Sequence, residues 1–497
     1  MLRIVDIAKQ TLLVPGSAWE RTAARLCLAA RSARQSLADS AFPGRAWERG
    51  WRQFSTALIY IALMFICWLI YRVSPGYPQI CDSRYSLLIT ENLLESGHMN
   101  LDRYMPPDRP LPYQVTRLPR DSHVYYAYPL GSSFLSTPFV AWWQSSGISG
   151  DNPAYTDPLK RDTEWQRRLA AILAAGCVGW FLWLARLFLD WKWSLAIALF
   201  WGFGSPIWST LSRGLWSHDW MVWFLALAIV FLVRLDQSSA RGWRWSTIGT
   251  GALLGCCLFS MYFCRPQSLV SAIGILCYLL CFHWRILISA LTVFSVSMLA
   301  LVAWSTWTFG QPLPPSVYAT FRPETGHLLR NASGLLISPS RGVLTFCPGL
   351  LFLAWGLVRY RRTLPNRRLL LPVWVAICGH FAVLACFSEW HGGCCYGPRY
   401  FTDVLPWAVL LSVQAIRGMF DHIPTCRQPI SAREARPSAY PFSGFARVML
   451  FACIAWSVWI HGRGAIAPAT WRWNYHMERE PKTAPFDWRD PQFLAHR

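Results

Sequence analysis

Of the 497 residues of this chain, 54% are hydrophobic, only 15% are charged and 30 are Trp, which excludes an ordinary soluble domain and points to a polytopic membrane protein. The formal net charge of +21 would suggest nucleic acid in a soluble protein, but here the Lys and Arg cluster in alternate loops, as expected of positive segments facing anionic lipid on the cytoplasmic side. Most of the 16 cysteines lie in apolar segments, where Cys acts as a small hydrophobe, and no CxxC pair or Cys/His metal spacing occurs.

Residues 1–52 carry nine Lys or Arg and no long apolar core ending at a small-residue cleavage site. They read as a basic cytoplasmic leader rather than a cleaved signal, with an amphipathic surface helix over 17–40. The first apolar span covers 56–73 and stops before Pro75 and Pro78. A long polar loop, 74–164, follows. Further apolar windows fall at 167–188, 194–211, 217–233, 246–264, 266–282, 286–308, 342–358, 369–388, 401–417 and 446–461, giving about eleven spans of the length a bilayer requires. With the N-terminus inside, the turns 234–245 and 359–368 and the segment 418–445 are cytoplasmic and Arg-rich, whereas the outer hairpin 389–400 has only Arg399. The predicted topology is therefore N-inside and C-outside. A transmembrane domain over 53–461 and a short polar outer tail over 462–497 complete the layout, with no internal repeat of the kind that builds transporters.

This topology gathers five polar clusters on one face. The first is CDSRYSLLITENLLESG, 81–97, where Tyr85, Leu88, Ile89 and Leu93 recur at helical spacing. That pattern predicts an amphipathic helix over 84–96 lying on the outer membrane surface, with Asp82 at its entrance. Asp82 or Ser83 then either caps the helix, or Asp82 is a carboxylate held at the membrane edge as a general base. Later in the loop, Tyr125, Tyr126, Tyr128, Pro129 and Gly131 precede an apolar half-span, as in a re-entrant or surface-lying segment with interfacial aromatics, or a substrate rim.

His218 and Asp219 stand at the outer end of the fourth span, where ionisable side chains face protein or a water-filled cavity. Arg265-Pro266 falls between two apolar runs with almost no loop, a setting suited to holding a phosphate at headgroup level. Arg341-Gly342 sits at a span entrance, where a guanidinium and free backbone N–H groups meet an anion. The densest cluster is FSEWHGGCCYGPRYFTDVLP, 387–406, whose Gly and ionisable content exceeds what a turn needs. Cys81, Cys347, Cys394 and Cys395 fall near the outer face, where disulfides are allowed but their pairing is open. Asn331-Ala332-Ser333 matches a glycosylation acceptor pattern.

An acid just after the first span, a following surface helix, a Tyr/Pro-rich segment late in the same loop and an outward Gly397-Pro398-Arg399-Tyr400 hairpin resemble the GT-C membrane glycosyltransferases. The chain is similar to their protein O-mannosyltransferase and aminoarabinose-transferase group and bacterial homologues of unassigned substrate, in layout over 56–417. The resemblance implies an all-α polytopic membrane fold of about eleven transmembrane helices with a large extracytoplasmic first loop. It also implies transfer of a sugar from a polyprenyl-phosphate carrier to a lipid, protein or glycan acceptor on the extracytoplasmic side of a bacterial plasma membrane. Asp82 carries over as catalytic base, and Arg265, Arg341 and Arg399 as holders of the donor phosphate. Tyr85, Tyr128, His218, Asp219, Glu389, His391 and Tyr396 would line the sugar or acceptor pocket.

Two positions depart from the family pattern. Ser83 stands where many members have a second acid, and Tyr128-Pro129-Leu130 replaces a Lys-Pro-Pro-Leu-like segment without the Lys. No cofactor is called for: a divalent cation suits the architecture, but there is no DxD or adjacent acidic pair to hold it. The competing classes are a transporter or flippase of lipid-linked sugars, which would favour mid-span charges and repeat symmetry, and a polysaccharide polymerase or ligase, marked by a long glycan donor.

Overall fold

The structure, a computed structural model, describes residues 43–105, 110–147, 157–239, 247–320, 325–360, 366–419, 444–481 and 483–496. The expected surface helix over 17–40, and most of the expected cytoplasmic segment 418–445, lie outside the described residues. The chain divides into two compact units, Met1–Ala62 and Leu63–Arg497. All that follows on packing concerns the second.

Helix α1 runs over Pro43–Val73 and α2 over Ser86–Ser96, followed by two short strands, β1 (Val115–Arg117) and β2 (Val124–Tyr126), and by helices α3 (Gly131–Leu135) and α4 (Thr137–Ser145). Next come α5 (Pro158–Arg186), α6 (Trp191–Phe203), α7 (Ser217–Ser239), α8 (Thr247–Cys264), α9 (Leu269–Phe282) and α10 (Trp284–Phe309). The remainder comprises α11 (Leu328–Ile337), α12 (Leu350–Tyr360), α13 (Leu370–Ala385), α14 (Leu405–Met419), α15 (Gly444–Ile466) and α16 (Asn474–Arg479). Helices α8 and α10 pack together, as do α9 and α13, and α7 packs on both α5 and α8. Ile288, Val296, Leu299 and Trp307 of α10 stay exposed, as suits an apolar face turned to lipid.

The chain is a polytopic, largely helical membrane protein. Among the described residues seven helices are long and apolar enough to cross a membrane, or eight when the pair Trp191–Phe203 and Pro206–Arg213, bent by 40°, is taken as one span. All eleven apolar windows expected from the sequence meet helical segments, but 266–282, 342–358 and 401–417 yield shorter helices. The breaks have backbone causes. Pro348 brings no N–H and disfavours helical geometry at Cys347, so one window divides into Val343–Phe346 and α12. Gly204-Ser205-Pro206 bends another in the same way.

The segment after α1 departs from expectation at α2, where Ser86 to Asn92 are buried in succession, so this helix is covered by protein instead of lying on the membrane surface. Its polar face is turned inward because it finds partners there. Thr90 Oγ1 donates to the Ser133 carbonyl at 2.9 Å, Asn92 Nδ2 to the Asn100 carbonyl at 2.7 Å, and Glu91 pairs with Arg161 at 2.5 Å. Strands β1 and β2 form an antiparallel pair in the register Val115 with Tyr126, Thr116 with Tyr125 and Arg117 with Val124. Residues beyond α15 are not a free tail. Trp473, Met477, Ala484 and Ala495 cluster together, and Phe493 joins Phe346, Tyr396 and Ile460. Asn331, in the possible glycosylation pattern, is buried and donates through Nδ2 to the carbonyls of Ala385 and Phe387, which ties α11 to the end of α13.

Candidate active site

The stretch around Asp82 is shaped from outside itself. Helix α2 begins after Tyr85, which takes the left-handed conformation with φ 77°, and no side chain of its own segment caps it. The cap comes from Asp162 on α5: Oδ2 accepts from the Tyr85 N–H and Oδ1 from the Leu87 N–H, each at 3.1 Å. Gln166 Nε2 holds Asp162 Oδ2 and the Ser83 carbonyl, both at 2.8 Å. The Asp82 carbonyl accepts from the Tyr126 hydroxyl at 2.5 Å. Neither Asp82 nor Ser83 is the helix cap, and the Asp82 carboxylate is left for another partner.

That partner is Arg399. Its Nη1 donates to Asp82 Oδ2 at 2.7 Å, with the Arg side chain 6% exposed and the Asp side chain 24%. The guanidinium lies 4.4 Å above the Trp216 ring and 5.1 Å from that of Tyr400, a stacked setting that a Lys would not reproduce. Arg265 stands on the same cavity wall. Nε donates to Asp403 Oδ2 at 2.7 Å and Nη1 to Ser217 Oγ at 3.1 Å, while Nη2 is buried without a protein partner. A guanidinium N–H in that state favours an anion close by.

Asp403 is the hub behind this wall. His218 Nδ1 is 2.6 Å from its Oδ1, and His380 Nε2 is 3.4 Å from its Oδ2 and 3.1 Å from the Tyr400 carbonyl. All of these groups are buried. They orient Arg265 and the 399–404 turn; the side chains of Asp403, His218 and His380 do not line the polar cavity that Arg265 faces, and His380 lines a second, apolar one.

The cavity measures about 570 Å³ and is lined by Asp82, Tyr128, Ser217, Arg265, Glu389 and Arg399 among others. Gly131 allows it to close: a Cβ there would sit 2.5 Å from the Cys264 nitrogen, so only glycine lets Tyr128-Pro129 lie against the end of α8 next to Arg265. The 389–399 hairpin needs its glycines as well, since Gly392, Gly393 and Gly397 all have φ between 62° and 78°. Tyr128 is half-buried, and burial first and the Asp82 charge second raise its hydroxyl above the ordinary range, keeping it a neutral donor.

A second cavity, about 220 Å³ and mainly apolar, lies between α11, α12, α13 and α14. Leu335, Leu353, Leu357, Phe381 and Leu411 contribute to its wall, and Arg399 and Tyr400 line both cavities.

Several residues singled out from sequence stand elsewhere. Arg341 is buried with all five N–H groups engaged: with the carbonyls of His391, Ser340 and Gly393, with Gln492 Oε1 and with Asn474 Oδ1. It fastens the hairpin to the C-terminal segment and has no N–H left for a phosphate. Tyr396 is buried against Phe346, its hydroxyl donating to the Ile460 carbonyl at 2.6 Å. Tyr85 packs in the cluster with Leu88, Tyr125 and Phe309. Asp219 is buried in the first turn of α7 and does not line the cavity. His391 is buried against the apolar cavity; burial, then Arg341, Arg399 and Arg330, push it down to about 3, and its neutral Nδ1 accepts from the Gly393 N–H at 3.0 Å. Glu389 stays at the rim, 71% exposed in its side chain.

Sequence reasoning missed Asp403, His380, Asp162, Trp216 and Glu478. An acid four residues after Arg399 and a His within an apolar span were readable signals. Nothing local marked Asp162 as the cap of a helix far earlier in the chain. Among the described residues no three His, Cys, Asp or Glu side chains converge as metal ligands.

No family model matches the chain, and no curated protein does. Among solved structures it is similar to an oligosaccharyltransferase of Archaeoglobus fulgidus, crystallised with a tethered acceptor peptide containing the NVT sequon, at TM-score 0.49 and 11% identity over 88% of this chain and 59% of that one. It is also similar to ArnT from Cupriavidus metallidurans bound to undecaprenyl phosphate, at TM-score 0.41 and 16% identity over 84% of this chain and 72% of that one. The chain thus spans 59% of the length of the first of these proteins. Both likenesses are distant, and the chemistry available to this chain is that of its own cavity residues.

Proposed function

We propose that this protein is a membrane glycosyltransferase that moves a sugar from a polyprenyl-phosphate carrier to an acceptor on the extracytoplasmic face. One observation carries the reading: Arg399 and Tyr400 belong at once to the polar cavity that holds Asp82 and to the apolar cavity between α11 and α14. A donor made of a long apolar tail, a phosphate and a sugar matches that sequence of surfaces, with its phosphate at Arg399.

In the reaction an acceptor O–H or N–H attacks the anomeric carbon, and the bond from that carbon to the phosphate oxygen breaks. Asp82 takes the acceptor proton as general base. The carrier leaves as the polyprenyl phosphate with the bonding electron pair. Its new negative charge is met by the unpartnered Nη2 of Arg265 and by Arg399, which exchanges Asp82 for the phosphate and so frees Oδ2 for the proton. Tyr128, held neutral, donates to the sugar, and exposed Glu389 meets the acceptor as it enters. Arg341 takes no part in phosphate binding in this scheme and positions the hairpin instead.

The test is sugar transfer from a panel of radiolabelled polyprenyl-phosphate monosaccharides in membranes holding equal amounts of wild type or Asp82→Asn. Asparagine keeps the size and one acceptor oxygen but removes the base, and loss of a general base lowers turnover by roughly 10²–10⁴. Equal consumption by both proteins would rule out Asp82 as the base. Consumption of no donor by the wild type would remove the transfer reading itself.

A further inference from the structure

Cys81 and Cys394 meet in the wall of the polar cavity. Cys81 immediately precedes Asp82, Cys394 belongs to the hairpin that leads to Arg399, and both are free thiols lining the cavity. Their thiols are in hydrogen-bond contact with each other. Cys81 Sγ also lies 2.7 Å from the Tyr113 hydroxyl, and Cys394 Sγ donates to Glu478 Oε1 at 3.1 Å. The adjacent Cys395 is different: it is fully buried, with its thiol 3.8 Å and 3.9 Å from the carbonyls of His391 and Gly397. The transfer scheme uses neither Cys81 nor Cys394.

We infer that Cys81 and Cys394 are a redox-modifiable pair, and that their oxidation to a disulfide ties the Asp82 loop to the 389–399 hairpin and narrows the cavity. The oxidant is a disulfide, in keeping with the extracytoplasmic side on which such reagents persist. The Cys81 thiolate attacks one sulfur of the oxidant and expels the first oxidant thiolate. The Cys394 thiolate then attacks Cys81 Sγ in the mixed disulfide and expels the second. The two cysteines lose two protons and two electrons, and the oxidant becomes two thiols. Cys81 is suited to the first attack: it borders the cavity, and the Tyr113 hydroxyl 2.7 Å from its sulfur and the nearby Arg399 charge favour the thiolate against burial and the Asp82 charge. Gly392 and Gly393 give the hairpin the backbone freedom to take up the small movement that bond formation requires.

The cross-link is independent of what the cavity catalyses, and only its effect on turnover rests on the glycosyl-transfer reading. The full chain in lipid nanodiscs is incubated with oxidised glutathione, blocked with N-ethylmaleimide and digested without reductant. The expected product is a linked peptide pair joining Cys81 to Cys394, two hydrogens lighter than the separate peptides, retained in Cys395→Ser and absent in Cys394→Ser. A missing link, or one that survives Cys394→Ser, overturns the pairing. Closure has its own readouts: a rise in Tm that dithiothreitol reverses, and a fall in transfer of at least about tenfold that the same reductant restores. Formation of the link without either change overturns the closure. A reduced protein that transfers no sugar leaves the mass and Tm results standing and counts only against the proposed activity.

Discussion

Arg399 Nη1 and Asp82 Oδ2 meet at 2.7 Å although 317 positions separate them in the chain, so the acid after the first span and the basic hairpin near the last spans form one site. The ion pair is also a geometric statement. In the proposed reaction, the charge-assisted hydrogen bond between a buried guanidinium and a partly exposed carboxylate marks where a sugar phosphate and an acceptor would meet.

Arg265 and Arg341 separate a ligand role from a structural one. Arg265→Lys keeps a charge for Asp403 but removes the fork whose Nη2 has no protein partner, and the expected result is a donor KM raised about tenfold, equivalent to about 1.4 kcal/mol, with a smaller fall in Tm than Arg341→Lys gives. Arg341→Lys leaves several buried carbonyls without donors and should lower Tm instead. Steady-state kinetics beside thermal unfolding of both variants distinguishes the two. A raised donor KM in Arg341→Lys with unchanged Tm would return that residue to the phosphate.

The apolar cavity should measure the carrier tail. Leu353→Trp, on its wall, reduces the roughly 220 Å³ available and is expected to raise KM several-fold for a long polyprenyl donor while sparing one with two isoprene units. Equal effects on both donors would place the tail elsewhere.

His391 predicts a pH dependence of stability. Its folded-state value is pushed down to about 3, chiefly by burial, so between about pH 6.5 and 3 the unfolded chain binds a proton that the folded chain does not. Stability from this group is therefore full above about pH 6.5 and falls as pH drops, by about 1.4 kcal/mol per pH unit. His391→Asn, which keeps an acceptor for the Gly393 N–H, should flatten the curve of Tm against pH between 6 and 4. Parallel curves for the two proteins would mean that His391 is charged in the folded protein.

Asp162→Ala removes both acceptors at the start of α2 and is expected to cost about 1–2 kcal/mol of stability, with reduced transfer as the Asp82 loop slackens. Asp162→Asn, which retains one acceptor, should fall between the two. Unchanged unfolding in the alanine variant would show that α2 holds its place by packing alone.

The membrane helices were legible in the sequence because each needs a continuous apolar run, and that signal is local. Asp82, Arg265 and Arg399 were legible for a related reason: charged residues beside a bilayer are costly and stand out. The apolar periodicity of α2 was read well, but its burial was not. A face of Ser, Thr and Asn looks solvated until Ser133 and Asn100 arrive from other segments to bond it. Arg341 and Tyr396 misled by the same logic, since a polar group in an apolar setting marks a constraint without saying whether protein or ligand satisfies it. Strands β1 and β2 are too short for their alternation to be told from loop.

Gln492 accepts from Arg341 Nη1 and donates through Nε2 to the carbonyls of Cys395 and Thr470, so the hairpin that bears Arg399 is held in part by a side chain made almost a hundred residues after it. Helices entering the membrane in order of synthesis would thus assemble nearly the whole bundle before this hairpin has its full set of partners. Without the segment around Gln492, Arg341 would lose one acceptor and the Cys395 carbonyl its donor, so the hairpin would meet the acid less firmly held. In the proposed reaction that segment therefore serves turnover from a distance, by holding in place a hairpin it does not belong to.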